Sequence, residues 1–169
     1  EGTLVRKSGT EKAIAASAAK VTDGSEVTVS GSSAEAVLKA QYKDKGETIG
    51  VKTKLFRPSI SFASSDLKNA IGFSFSYTNN GESEFEMIIS LVDKDGVSYD
   101  VLTNYCPAGV TRKVSLELSE QFLKRMKIDM SSVSEIRISF DNVNYAKNGQ
   151  TELAGDRTIK CDNVAIRVK

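Results

Sequence analysis

The sequence contains no histidine and no tryptophan, only two cysteines and two prolines, and aromatic residues make up just 7% of its 169 positions. Without histidine the chain lacks the commonest general base and the commonest ligand for transition metals. No catalytic constellation stands on a recognisable motif, and acid–base work needs titratable groups held within reach of one another. Two carboxylates brought together only by the fold are the one route left, as in glycoside hydrolysis. An enzyme is therefore not expected.

Charge of either sign is also missing in excess. Lys and Arg number 23 and Asp and Glu 22, a formal net charge of +1, which leaves no electrostatic footprint for nucleic acid or an anionic membrane. The Ala13–Ala19 run is too short and too weakly apolar for membrane insertion. Cys106 and Cys161 are far apart and in no metal-ligand spacing. Paired, they would close a long loop and contribute roughly 4 kcal/mol; unpaired, they would serve as two small buried hydrophobes. The sequence leaves both open.

What is present suffices for a core. With 40% hydrophobic residues over 169 positions, one domain spanning 1–169 can fold without staples. Residues 1–33 are the least regular part. The chain opens at Glu1 rather than methionine and reads as a segment of something larger.

Period-2 alternation dominates the rest. Ile71, Phe73, Phe75 and Tyr77 alternate with Gly72, Ser74 and Ser76, and Phe85, Met87, Ile89 and Leu91 repeat the pattern. Asn79-Asn80-Gly81 stands between these runs, so turn chemistry predicts a hairpin. Asp93-Lys-Asp-Gly96 predicts a second turn, into Val97–Leu102; it resembles the start of a calcium loop but lacks the closing residues. Ala34–Tyr42 has helical propensity yet alternates, and burial outweighs a few tenths of a kcal/mol per residue, so a strand is expected. Strands are also expected at Val27–Val29, Val51–Phe56, Thr111–Leu118, Ile136–Phe140 and Thr158–Lys169, with a short apolar ledge at Ile60 and Phe62. Ala13–Ala19 would make at most a marginal helix. Ser119 caps a short helical crossover carrying Phe122, Leu123 and Met126. In the last strand Ile159 and Cys161 sit on odd positions and Val164, Ile166 and Val168 on even ones, which requires a bulge at Asp162-Asn163. The expected fold is all-β: an antiparallel two-sheet sandwich with one short crossover helix.

Three passages carry a resemblance. They are Arg112-Lys-Val-Ser-Leu-Glu-Leu118, then Ile128 through Phe140, then the closing Ile159-Lys-Cys-Asp-Asn-Val-Ala-Ile166. In that order, across residues 70–169, they resemble the jelly-roll, galactose-binding-like sandwich of non-catalytic carbohydrate-binding modules. The resemblance implies a module appended to a secreted or cell-surface bacterial glycan-active protein, monomeric within a larger chain, with a polysaccharide or oligosaccharide as partner. It also implies a structural calcium at Asp162, with Glu1 or Glu26 as the second carboxylate; alternatively Asp162 serves the bulge by bonding backbone N–H groups or pairing with Lys or Arg. Such modules grip sugar on Trp or Tyr faces, because pyranose CH groups stack on aromatic rings. Here the candidates are Tyr99, Tyr105 and Tyr145, with Arg112 and Arg137 beside them as ligand-binding residues. Tyr99 shares parity with Val97 and Val101, the pattern of a core or rim tyrosine. Ser74, Ser76, Glu86, Ser90, Arg137 and Ser139 face outward and together would form a polar groove or an ordinary solvated face. Without tryptophan, a spacer or protein-interaction sandwich with no sugar site is the rival reading.

Overall fold

The computed structural model describes residues 9–18, 26–31, 33–38, 59–80, 85–141 and 157–169. Within them, eleven strands form two antiparallel sheets. The six-stranded sheet runs β3 (Glu26–Ser30), β4 (Ser33–Leu38), β11 (Arg157–Val168), β6 (Ala70–Asn79), β9 (Thr111–Glu117), with β1 (Thr10–Ala13) also on β11. The five-stranded sheet runs β2 (Ala16–Ala18), β5 (Ser59–Ala63), β10 (Val133–Asp141), β7 (Phe85–Asp93), β8 (Ser98–Cys106). Their inward faces meet in one core: Phe73, Phe75 and Tyr77 from β6, Met87, Ile89 and Leu91 from β7, and Ile136 and Ile138 from β10 are all buried. The all-β sandwich expected from the alternation is what the chain forms.

The expected hairpin between the two strongest runs does not form. β6 pairs with β9 and β11, whereas β7 pairs with β10 and β8. Each run has one wholly apolar face. Side by side in one sheet, both faces would still need a covering layer; in opposite sheets they cover each other. Asn79 accordingly ends β6 fully buried, its amide donating to the Cys106 carbonyl at 3.0 Å.

Two smaller expectations are also corrected. Ile60 and Phe62 are not a ledge but the fully buried positions of β5, paired to β10 on one side and β2 on the other. The described residues of Ala13–Ala19 hold no helix: β1 ends at Ala13, β2 spans Ala16–Ala18, and buried Ile14 between them donates its N–H to the Val164 carbonyl at 3.0 Å. A helix with one large apolar residue buries too little, while two sheet edges offer ready hydrogen-bond ladders. Strands at Val27–Val29 and within Ala34–Tyr42 do form, as β3 and β4. The expected Val51–Phe56 strand and the part of Ala34–Tyr42 beyond Leu38 lie outside the described residues.

The turn and cap chemistry is as read. The Asp93 carboxylate accepts from the N–H groups of Asp95 and Val97, at 2.9 and 2.8 Å, and Gly96 takes φ +82°. That closes the β7–β8 hairpin. The helix α1 (Glu120–Met126) starts with the Ser119 hydroxyl accepting from the Phe122 N–H at 3.2 Å and stops at left-handed Lys127. In β11 the register against β6 jumps between Asp162 and Ala165, with Asn163 at φ +53°. Before the jump β11 pairs with β4, after it with β1.

Both cysteines are free, buried thiols. Burial pushes the Cys106 thiol from its ordinary 9.0 up to about 12 and the Tyr77 phenol from 10.0 up to about 12; Cys161 is pushed up as well, first by burial and then by Cys106 and Asp162. The fold keeps protons that the unfolded chain releases, so the stability that goes with these groups' protonation is fully present below pH 9.0 and is lost as the pH rises toward about 12. Melting curves across that range are expected to show the loss. At about pH 8, iodoacetamide is expected to label neither thiol until denaturant is added.

Candidate functional site

Side chains opposite one another on paired strands share a face. One register row across the five-stranded sheet reads Ser61 on β5, Arg137 on β10, Ser90 on β7 and Asp100 on β8. These positions face away from the core, since their neighbours in sequence are the buried inward residues. A second row places Ser139 beside Ile88 and Thr103, and a third sets Tyr105 against Glu86.

This face is polar and partly recessed. Ser90 is 3% exposed, and Ser61, Ile88 and Val92 are buried as well. The Ser90 hydroxyl donates to Asp100 Oδ1 at 2.7 Å. Arg137 Nη2 donates to Glu135 Oε1 at 2.6 Å, two residues along the same strand, which fixes the guanidinium over the row. Its Nε is buried without a hydrogen-bond partner among the described residues. Tyr105 is the contrast: it stands on edge strand β8 with half its surface exposed. From Tyr105 to Arg137 the pairing spans four residues along the strands and two strand spacings across, about 16 Å. An extended ligand would fit that distance better than a single ring.

The six-stranded sheet's outward face is different. Arg167 lies across Gly72 and donates through both terminal nitrogens to Glu117, at 3.1 and 2.5 Å. A Cβ at Gly72 would stand 3.1 Å from Arg167 Nη1, so the glycine makes room for the bridge. The guanidinium is spent on an ion pair, and the depression beside it holds only about 220 Å³.

The sequence candidates therefore separate. Tyr105 and Arg137 share the outward face of the five-stranded sheet. Tyr99 packs against the core from the opposite face of β8, opposite Leu91, so it is the rim tyrosine its parity allowed. Arg112 is on the other sheet, exposed at the inward parity opposite Tyr77. Of the six polar outward residues, Ser74 and Ser76 also belong to the six-stranded sheet, and only Glu86, Ser90, Arg137 and Ser139 come together. Tyr145 and Glu1 lie outside the described residues, and Glu26 opens β3 opposite Val37. Sequence reading missed Asp100 and Glu135. Asp100 was hidden by the register shift in β8 opposite Ile89 and Ser90; Glu135 was legible as the residue of Arg137's parity on the other side of Ile136.

Asp162 is half-buried at the bulge, with the Lys160 ammonium 3.5 Å from Oδ1. Among the described residues no three His, Cys, Asp or Glu side chains are grouped to hold a metal. One carboxylate facing an ammonium does not by itself fit a hard cation. If Asp162 serves the bulge through Lys160 alone, chelation leaves the melting temperature unchanged. A temperature that falls with chelator and recovers with calcium would place a second carboxylate, from Glu1 or Glu26, at Asp162.

No protein-family model matches the sequence, and neither does any curated protein. Solved structures do. The family 11 carbohydrate-binding module of the cellulosomal cellulase Lic26A-Cel5E of Clostridium thermocellum aligns over 96% of this chain and 97% of its own, with TM-score 0.53 and 11% identity. The fold is shared with a carbohydrate-binding module. PfGH50B aligns over 92% of the chain at TM-score 0.57 and 12% identity, and the agarase AgWH50C over 91% at 0.56 and 15%. The chain spans 22% of the length of each of these two. At such identities the likeness is one of fold.

Proposed function

We propose that the chain is a non-catalytic module that binds a neutral polysaccharide on the outward face of the five-stranded sheet, as an appended part of a larger secreted or cell-surface glycan-active protein. One observation carries the reading: Tyr105, the exposed aromatic of that face, and Arg137, the cation at its centre, stand on one surface whose other polar groups are hydroxyls and carboxylates, with Ile88 and Val92 buried among them. An aromatic ring stacks on the CH face of a pyranose, while donors and acceptors beside it take up the hydroxyls. The shared fold with a binding module of nearly equal length, and with a fifth of the length of an agarase, supports the same assignment.

The charge of the face narrows the ligand. Among the described residues Glu86, Asp100 and Glu135 outnumber Arg137 on this face, a balance that disfavours an anionic glycan. Neutral hexose polymers are favoured over sulfated or uronate ones. A glycan array with the isolated chain, followed by titration with neutral and sulfated oligosaccharides, tests this. Binding to neutral chains that Tyr105→Ala abolishes supports it. A preference for sulfated chains overturns the ligand class.

One observation favours the spacer reading: among the described residues, the outward face carries Tyr105 as its one aromatic platform. Silence across plant, host and microbial glycans would decide for the spacer.

A further inference from the structure

Among the described residues β8 is an edge strand, bonded to β7 on one side only, so the backbone groups on its other side have no ladder partner there. At the end that carries Tyr105, two consecutive carbonyls of β8 also accept hydrogen bonds from side chains of the other sheet. The Tyr77 hydroxyl donates to the Tyr105 carbonyl at 3.3 Å, and the Asn79 amide donates to the Cys106 carbonyl at 3.0 Å. Tyr77 and Asn79 are both fully buried, at the last two inward positions of β6. Asn79 is itself held at both backbone groups: its N–H donates to the Val110 carbonyl at 3.1 Å and its carbonyl accepts from the Gly109 N–H at 2.9 Å. The end of β6 thus grips both the last turn of β8 and the connection into β9.

Two buried polar side chains at adjacent inward positions of a core strand are unusual choices, because apolar residues there would cost nothing in desolvation. Their bonds converge on two consecutive carbonyls, and one of these belongs to the residue whose ring stands on the ligand face. We infer that Tyr77 and Asn79 are positioning residues for Tyr105: acting from the opposite sheet through its backbone, they fix the direction of the aromatic platform. This inference rests on the sugar-binding reading for its purpose, though not for its geometry.

The test uses the chain labelled with 3-fluorotyrosine, whose few tyrosines give resolvable ¹⁹F signals; Tyr105→Phe assigns the one that matters. Tyr77→Phe removes a single hydroxyl from the core. It is expected to shift or broaden the Tyr105 signal, leave the Tyr99 signal in place, and weaken neutral-oligosaccharide binding about three- to tenfold, the worth of one hydrogen bond. Asn79→Ser, a shorter polar side chain, is expected to act in the same direction; should it fail to fold, Tyr77→Phe decides alone. An unchanged Tyr105 signal with unchanged affinity in Tyr77→Phe overturns the inference. If Tyr105→Ala binds glycan as well as the parent chain, or the parent binds none, the sugar reading falls separately, and the ¹⁹F signal still decides whether Tyr77 positions the ring.

Discussion

Replacing Arg137 with methionine is expected to weaken neutral-glycan binding by about ten- to a hundredfold while the sandwich stays folded. Methionine keeps most of the aliphatic stem, so packing over Ser61 and Ser90 changes little. What is lost is the guanidinium at the centre of the face. A hydrogen bond to a charged group contributes roughly 1.5–3 kcal/mol, which converts to that range of affinities. Arg137 is also held ready by Glu135 at 2.6 Å, so little side-chain entropy remains to be lost on binding. The lysine variant is a useful companion, since a single ammonium cannot reproduce the planar fork. Isothermal titration with one neutral oligosaccharide would measure all three proteins. Wild-type affinity in Arg137→Met, with unchanged circular dichroism, would move the binding face elsewhere.

Phe75→Ala is expected to lower the melting temperature by roughly 6–20 °C. Phe75 lies on interior strand β6, 1% exposed, paired with Val114 and with its ring centroid 5.4 Å from that of Phe73. Truncating a buried phenylalanine typically costs about 3–5 kcal/mol, because the surrounding core collapses only in part around the cavity. For a chain of this size each kcal/mol moves the midpoint by about 2–4 °C. Ser76→Ala, one residue along on the outward face, serves as control and is expected to change stability by no more than about 0.5 kcal/mol. Similar midpoints for the two variants would mean that the inward faces of β6 and β7 do not meet as described.

The same two neighbouring positions mark what was legible without coordinates. The alternation of Phe75 with Ser76 already separates core from surface, because the period of a strand is a local property of the pleat. The Ser119 cap, the Asp93–Gly96 turn and the bulge at Asp162-Asn163 are local for the same reason: each is a matter of a few consecutive residues and their backbone angles. These elements, and with them the all-β class, follow from the sequence by itself.

Which sheet a strand joins is not local. The alternation of β6 shows an apolar face that needs a covering layer but names neither its ladder partners nor the strand opposite, and Asn79-Asn80-Gly81 reads as a hairpin turn in either case. Only the pairing of β6 with β11 and β9, and of β7 with β10 and β8, puts the two runs in facing layers. The candidate site inherits that decision. Ser74 and Arg137 look alike as outward polar residues, yet one falls on the six-stranded sheet and the other on the five-stranded one. Asp100 joins Ser90, and Tyr105 joins Glu86, through register set by pairings across the whole chain. Alternation tells each side chain which way to face; the long-range hydrogen-bond ladders, closed at a cost in chain entropy that no short window of sequence reveals, choose its companions.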